Sequence, residues 1–152
     1  MTHSIGSIPI EGPWDAGDIL AFLNRTRVPM RIAVNRPSGY PMVTPIWHHW
    51  ADGAIWSATR PTSALARALE RDDRCSFDIS IDQPPYKGIR GKGRVLLEKD
   101  GGALLGNLID KFMSNEAPRF KEMLLRKADD ECTIKIIPER LTSWDFTQRM
   151  SG

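Results

Sequence analysis

Residues 75–81 alternate with the least interruption anywhere in the chain. Cys75, Phe77, Ile79 and Ile81 fall on one side, and Ser76, Asp78, Ser80 and Asp82 on the other. That period of two marks a strand with one buried face. The same reading predicts strands at 30–35, with Met30, Ile32 and Val34 together, and at 42–50 and 54–59. Asp52-Gly53 joins the last two as a tight hairpin turn. Pro45 lies inside 42–50 and has no N–H for a ladder, so it belongs at an edge, a bulge or a strand break. A long strand at 86–98 puts Arg90, Lys92 and Arg94 on one side and Ile89, Val95 and Leu97 on the other. Two short strands, 132–137 and 141–146, flank Pro138-Glu139-Arg140.

Helical spacing appears between these runs. Asp15 can cap a short helix whose apolar face holds Ile19, Leu20, Phe22 and Leu23. Thr62 or Ser63 can cap a helix reaching about Arg71, with Leu65 and Leu69 on one face. Leu104, Leu105, Leu108, Ile109 and Phe112 recur at helical spacing, as do Phe120, Met123, Leu124 and Lys127. Pro118 suits the first turn of that last helix. Residues 1–13 have no period and read as a loose arm. Six or seven strands separated by turns, with helices inserted, predict a mainly β fold, a small β-barrel with α-helices.

Composition narrows the class. The chain has 152 residues, 41% hydrophobic and 26% charged, which suits one globular domain and not a disordered chain. A net charge of only +2 argues against a dedicated nucleic-acid binder. Cys75 and Cys132 are far apart, so no zinc site is expected; both sit on apolar parities and read as reduced core thiols. No charged segment followed by an apolar run opens the chain, and no stretch approaches the ~20 apolar residues of a membrane helix. A soluble, cytoplasmic protein is the expectation.

The chemistry concentrates between Tyr40 and Arg67, where a hairpin feeds a helix start. Such a unit can hold a flat ring on its strands and an anion at the helix end, where unpaired N–H groups and the positive dipole end meet. Trp47, His48, His49 and Trp50 cluster there in a chain with five Trp and three His. His48 and His49 are neighbours on a strand, face opposite ways and are badly placed to share a metal ion. The glycines at 88 and 91 have the G-x-x-G spacing of an RNA-binding loop, but inside a strand they mark a bulge or a close approach. The segment has neither a dinucleotide fingerprint nor a nucleophile elbow, and no residue stands out as a general acid or base.

Four segments carry a resemblance: P-M-V-T-P-I-W at 41–47, A-T-R-P-T-S at 58–63, Y-K-G-I-R-G-K-G-R at 86–94 and W-D-F-T-Q-R-M at 144–150. In this order they resemble the pyridoxamine 5'-phosphate oxidase-like family, across roughly residues 14–150. The resemblance implies a six-stranded split β-barrel of the FMN-binding type, usually a homodimer with the cofactor at the interface. The implied cofactor is FMN, or a deazaflavin coenzyme in some branches. Val43, Thr44, Pro45, Ile46 and Trp47 would lie along the ring, Ala58, Thr59 and Arg60 near the ribityl chain, and Thr62 and Ser63 at the phosphate. Trp144 would lie near the cleft. The family typically follows that Ser with two basic residues; here Ala64 and Leu65 stand instead. A charge-assisted phosphate contact contributes about 1.5–3 kcal/mol, so the loss of two predicts a weaker hold unless Arg60, Arg67, or Lys92 or Arg94 from a partner chain replaces them.

The function expected on these grounds is a flavin-binding oxidoreductase acting on a small-molecule substrate. The flavin would carry the redox chemistry, which accounts for the missing acid and base. The alternative is a non-catalytic flavin, deazaflavin or haem carrier of the same fold. A nucleic-acid binder using Arg90, Lys92 and Arg94 ranks last because of the modest charge.

Overall fold

The computed structural model describes residues 3–99, 102–113, 117–126 and 130–152. The most regular alternation becomes strand β7, Arg74–Ser80, with Cys75, Phe77 and Ile79 buried. It lies between β3, Met30–Val34, and β8, Lys87–Lys99, antiparallel to both. Beyond β3 comes β4, Met42–Ile46; beyond β8 comes β9, Cys132–Asp145. The first part of β9 also pairs with β6, Ala54–Thr59, which in turn pairs with β5, His49–Ala51. Met30, Ile32, Ile79, Ile89, Ile134 and Ile136 are fully buried between these strands. Each such side chain contributes about 1.5–3 kcal/mol by leaving water.

Two helices close the core. Helix α1, Ala16–Arg25, starts at the expected Asp15, whose carboxylate accepts from the Asp18 N–H while Asp18 accepts from the Asp15 N–H. It buries Ile19, Phe22 and Leu23. Helix α2, Ala64–Arg71, starts at Ser63 and buries Leu65, Ala66, Ala68 and Leu69. Helices α3, Gly102–Met113, and α4, Pro118–Arg126, follow β8. None of the described helices is long and apolar enough to cross a membrane.

Three expectations need correction. The segment read as a loose arm holds two strands, β1, His3–Ile5, and β2, Ile8–Glu11. β2 adds to β9 in parallel, Ile10 opposite Leu141, and buries Ile8 and Ile10. Alternation over four residues is too short to rise above an aperiodic background. Second, 132–137 and 141–146 are one strand: Lys92 faces Arg140 and Gly93 faces Pro138, so Glu139 is the extra residue of a bulge. Third, the strand expected at 42–50 breaks at Trp47-His48 into β4 and β5. The ladder with β3 runs through Pro45 to Ile46, opposite Met30 where β3 begins, and His48 then turns fully inward. The fold is mainly β with helices, as expected, and the nine strands among the described residues form one sheet. Among the described residues β4 pairs only with β3 and β5 only with β6, and the sheet stays open there.

Candidate functional site

Six of the predicted site residues gather at that opening in the sheet. Among the described residues β4 pairs on one side only, so alternate N–H and C=O groups along it face away from the sheet. Pro45, Ile46 and Trp47 from this edge and Ala58, Thr59 and Arg60 from the end of β6 line one cleft of about 440 Å³. Six residues read from two separate motifs therefore share one space, within the ~300–1,000 Å³ typical of small-molecule sites. Pro29 completes that side.

The opposite wall comes from the paired helices. Leu105 and Leu108 of α3 and Phe120 and Leu124 of α4 face the cleft. The Trp47 indole stacks on Phe112, ring centres 5.7 Å apart and planes 10° from parallel. Lys111 fixes α3 in place: its ammonium donates to the carbonyls of Leu23, at 2.9 Å, and His48, at 3.1 Å. Burial pushes Lys111 down to about 8. His48 contacts the Val28 carbonyl through Nε2 at 3.0 Å and meets the Phe112 ring edge-on. Its burial, and then the Lys111 charge, hold it down to about 3, so the ring is neutral and Nε2 carries the proton that reaches Val28. Nδ1 has no partner among the described residues. His49, next in sequence, is half-buried, so the two histidines do face different surroundings.

Beside the β6 side of the cleft, the Thr59 hydroxyl donates to Ser63 Oγ at 3.0 Å, and Ser63 Oγ accepts from the Ala66 N–H at 3.0 Å. The Ser63 oxygen is thus the α2 cap and a tie to β6. Ser63→Ala should lower stability by about 1 kcal/mol, read from urea unfolding, since both bonds depend on one oxygen. An unchanged midpoint would mean that the helix start is held from elsewhere. Glu131 enters the cleft beside Arg60. Burial raises its pKa, Arg60 opposes the rise and Asp130 adds to it.

The other predicted site residues stand elsewhere within this chain. Val43, 62% exposed, faces a hollow across β3, β7, β8 and β9 with Arg31, Arg90 and Lys92. Thr44 shares the parity of Met42 and Ile46, which pack on the core. Thr62 lies with Arg60 in an adjoining hollow, and Arg67 lies along the side of α2. Arg94 is engaged by Asp73 at 2.6 Å and Glu139 at 3.7 Å. Trp144 lies under the Arg90 guanidinium, 5.7 Å from it, away from the cleft. Cys75 and Cys132 are buried free thiols, and burial pushes Cys75 up to about 12, so it is not a nucleophile at neutral pH. Sequence reading missed Lys111, Phe112 and Glu131. The spacing of α3 showed a helix, but not that it folds back over the β4–β5 break.

Solved structures share this architecture. A conserved hypothetical protein from Mycobacterium tuberculosis superposes with a TM-score of 0.73 at 25% identity, over 88% of this chain and 86% of that one. An F420 reductase matches with a TM-score of 0.63 at 20% identity, over 78% of this chain and 92% of the other. A protein from Listeria innocua named for pyridoxamine 5'-phosphate oxidase matches with a TM-score of 0.63 at 18% identity, over 84% and 95%. No family model and no curated protein matches the chain.

Proposed function

From a chain that has the fold of the pyridoxamine 5'-phosphate oxidase-like proteins, we propose a protein that binds a flavin-type cofactor in the Trp47 cleft and serves as an oxidoreductase. The observation that carries the proposal is the convergence of Pro45, Ile46 and Trp47 with Ala58, Thr59 and Arg60 on one apolar-walled cleft. The residues suit a flat ring. Ile46, Leu105 and Leu108 offer apolar faces, the Trp47 ring is held rigid by Phe112, and the open edge of β4 offers N–H and C=O groups to ring heteroatoms. When bound, the flavin or deazaflavin supplies the hydride or electron transfer. The chain orients the ring, keeps water from one face through α3 and α4, and places Arg60 and Glu131 at the cleft's end. FMN and a longer-tailed deazaflavin are both compatible with this ring site.

A homodimer is part of the proposal. Tyr40, 80% exposed, and Val43 flank the open β4 edge, and an apolar edge strand left uncovered is a pairing hazard. Light scattering should return twice the chain mass.

Titration of FMN and riboflavin into the purified protein should quench flavin fluorescence, because Trp47 lies at the ring site. Filling the cleft with Ala58→Trp should abolish the quenching while the far-ultraviolet spectrum stays unchanged. Unquenched fluorescence with FMN, riboflavin and a deazaflavin alike would overturn the assignment.

A further inference from the structure

The Trp47 cleft does not end at Arg60. Arg60 and Glu131 also line a second hollow of about 740 Å³, so the two spaces meet at that pair. A ring ligand that carries a chain longer than the cleft passes between Arg60 and Glu131 into the hollow. The charge of the hollow therefore bears on which ligand the ring cleft accepts.

That charge comes from three parts of the chain. Glu70 lies in the last turn of α2, Glu98 and Lys99 at the end of β8, and Asp130 and Glu131 just before β9. With Arg60 they make four carboxylates against two cations. Among the described residues none of the four carboxylates is within ion-pair distance of a cation, so the excess is not cancelled at short range. Cys132, on the wall of the hollow, responds to it: burial raises its thiol pKa, and the Glu131 and Glu70 charges add to the rise.

The start of α2 brings no compensating cation. Ala64 and Leu65 follow Ser63, whose Oγ already takes the Thr59 hydroxyl and the Ala66 N–H. Screening is too short-ranged to hide the acids. The Debye length is about 8 Å at physiological salt, so carboxylates lining the hollow act on a charge inside it.

We propose that Glu131 selects the ring ligand by the charge of its tail: the cleft accepts a flavin-type ring with an uncharged ribityl chain and disfavours one that ends in phosphate. This rests on the flavin reading of the cleft and adds Glu131 as its specificity-determining residue. Arg60, across the neck, acts in the opposite sense. Wild type should hold riboflavin more tightly than FMN, by roughly tenfold at low salt. The gap should narrow as salt rises.

Fluorescence titrations of riboflavin and FMN into wild type, Glu131→Gln and Arg60→Gln test this. Glu131→Gln keeps the size of the side chain and removes its charge. It should tighten FMN by roughly fivefold and leave riboflavin unchanged. Arg60→Gln should weaken FMN and widen the gap. Tighter binding of FMN than of riboflavin by wild type overturns the assignment, and so does a Glu131→Gln protein in which the ratio of the two affinities is that of wild type. Should neither flavin bind wild type, the ring reading fails, and the Cys132 thiol tests the hollow alone. Its alkylation by neutral iodoacetamide and by anionic iodoacetate, in which the thiolate sulfur displaces iodide, is located by mass spectrometry and compared with that of 2-mercaptoethanol. A neutral-to-anionic rate ratio above that of the small thiol, falling in Glu131→Gln, supports a hollow that Glu131 makes negative. A ratio equal to that of the small thiol, a ratio that Glu131→Gln leaves unchanged, or no labelling of Cys132 overturns it.

Discussion

His48→Gln should remove about 3 kcal/mol of the stability that the wild-type protein loses between pH 7 and pH 4. His48 is fully buried, and burial holds it down to about 3 from an ordinary 6.5. A lowered pKa means that the unfolded chain binds the proton first. The stabilisation is fully present above pH 6.5 and is lost as pH falls toward 3. Glutamine keeps a donor for the Val28 carbonyl but has no titrating ring. The variant should be less stable at pH 7, because it packs less well against Phe112, and should have a shallower acid limb. Asp72 and Asp145 are also held below the ordinary carboxylate range, Asp72 first by its hydrogen bond to Arg74 and Asp145 first by Thr147. They titrate alike in both proteins, so their share cancels in the difference. Urea unfolding at pH 7 and pH 4 measures it, and equal slopes in the two proteins would show that His48 is protonated without unfolding.

The sign is the same at the alkaline end. Lys111 is held down to about 8 by burial, so the unfolded chain again binds the extra proton between pH 8 and 10.5. Stability from this group rises with pH across that window, which the same urea series can follow. His48 and Lys111 meet at the β4–β5 break, and each positive charge disfavours the other. The α3 wall of the Trp47 cleft therefore rests on a pair that tolerates one cation and not two. Acid should loosen α3 before it unfolds the sheet.

The elements with a strong period were legible in the sequence. α1 with its Asp15 cap, β3, β6, α2 with its Ser63 cap and β7 lie within a residue or two of where alternation and capping put them. So was the meaning of Pro45, which marks an edge strand two residues before a break. What was hidden depends on contacts distant in sequence. Ile8 and Ile10 carry too little pattern to reveal a strand until Leu141 is beside them. Lys111 reads as an ordinary polar position on a helix, and only the fold brings the Leu23 and His48 carbonyls to its ammonium. The convergence of Pro45, Ile46 and Trp47 with Ala58, Thr59 and Arg60 was legible because it lies within one hairpin and its return strand.

Gly88→Ala should destabilise the protein by about 3 kcal/mol or more. The glycines of β8 mark close approaches by neighbouring strands and not an RNA-binding loop. A Cβ on Gly88 would sit 2.5 Å from the Ile79 carbonyl oxygen and 2.7 Å from Ser80 Cα. Both are backbone atoms of β7, held by the ladder in which Gly88 pairs with Ser80, so neither can step aside as a side chain would. On its other edge Gly88 pairs with Trp144 of β9. Relief of the clash must part three strands at the end of the sheet where Arg90 covers Trp144. Gly106→Ala provides the contrast. That Cβ meets nothing within 4 Å, and Gly106 lies inside α3, where alanine is favoured by up to about 1 kcal/mol. The two variants add the same methyl group, so opposite shifts in urea midpoint isolate the β7 backbone as the cause. A Gly88→Ala midpoint close to wild type would mean that β8 can slide away from β7 without penalty, and the packing described at that end of the sheet would be wrong.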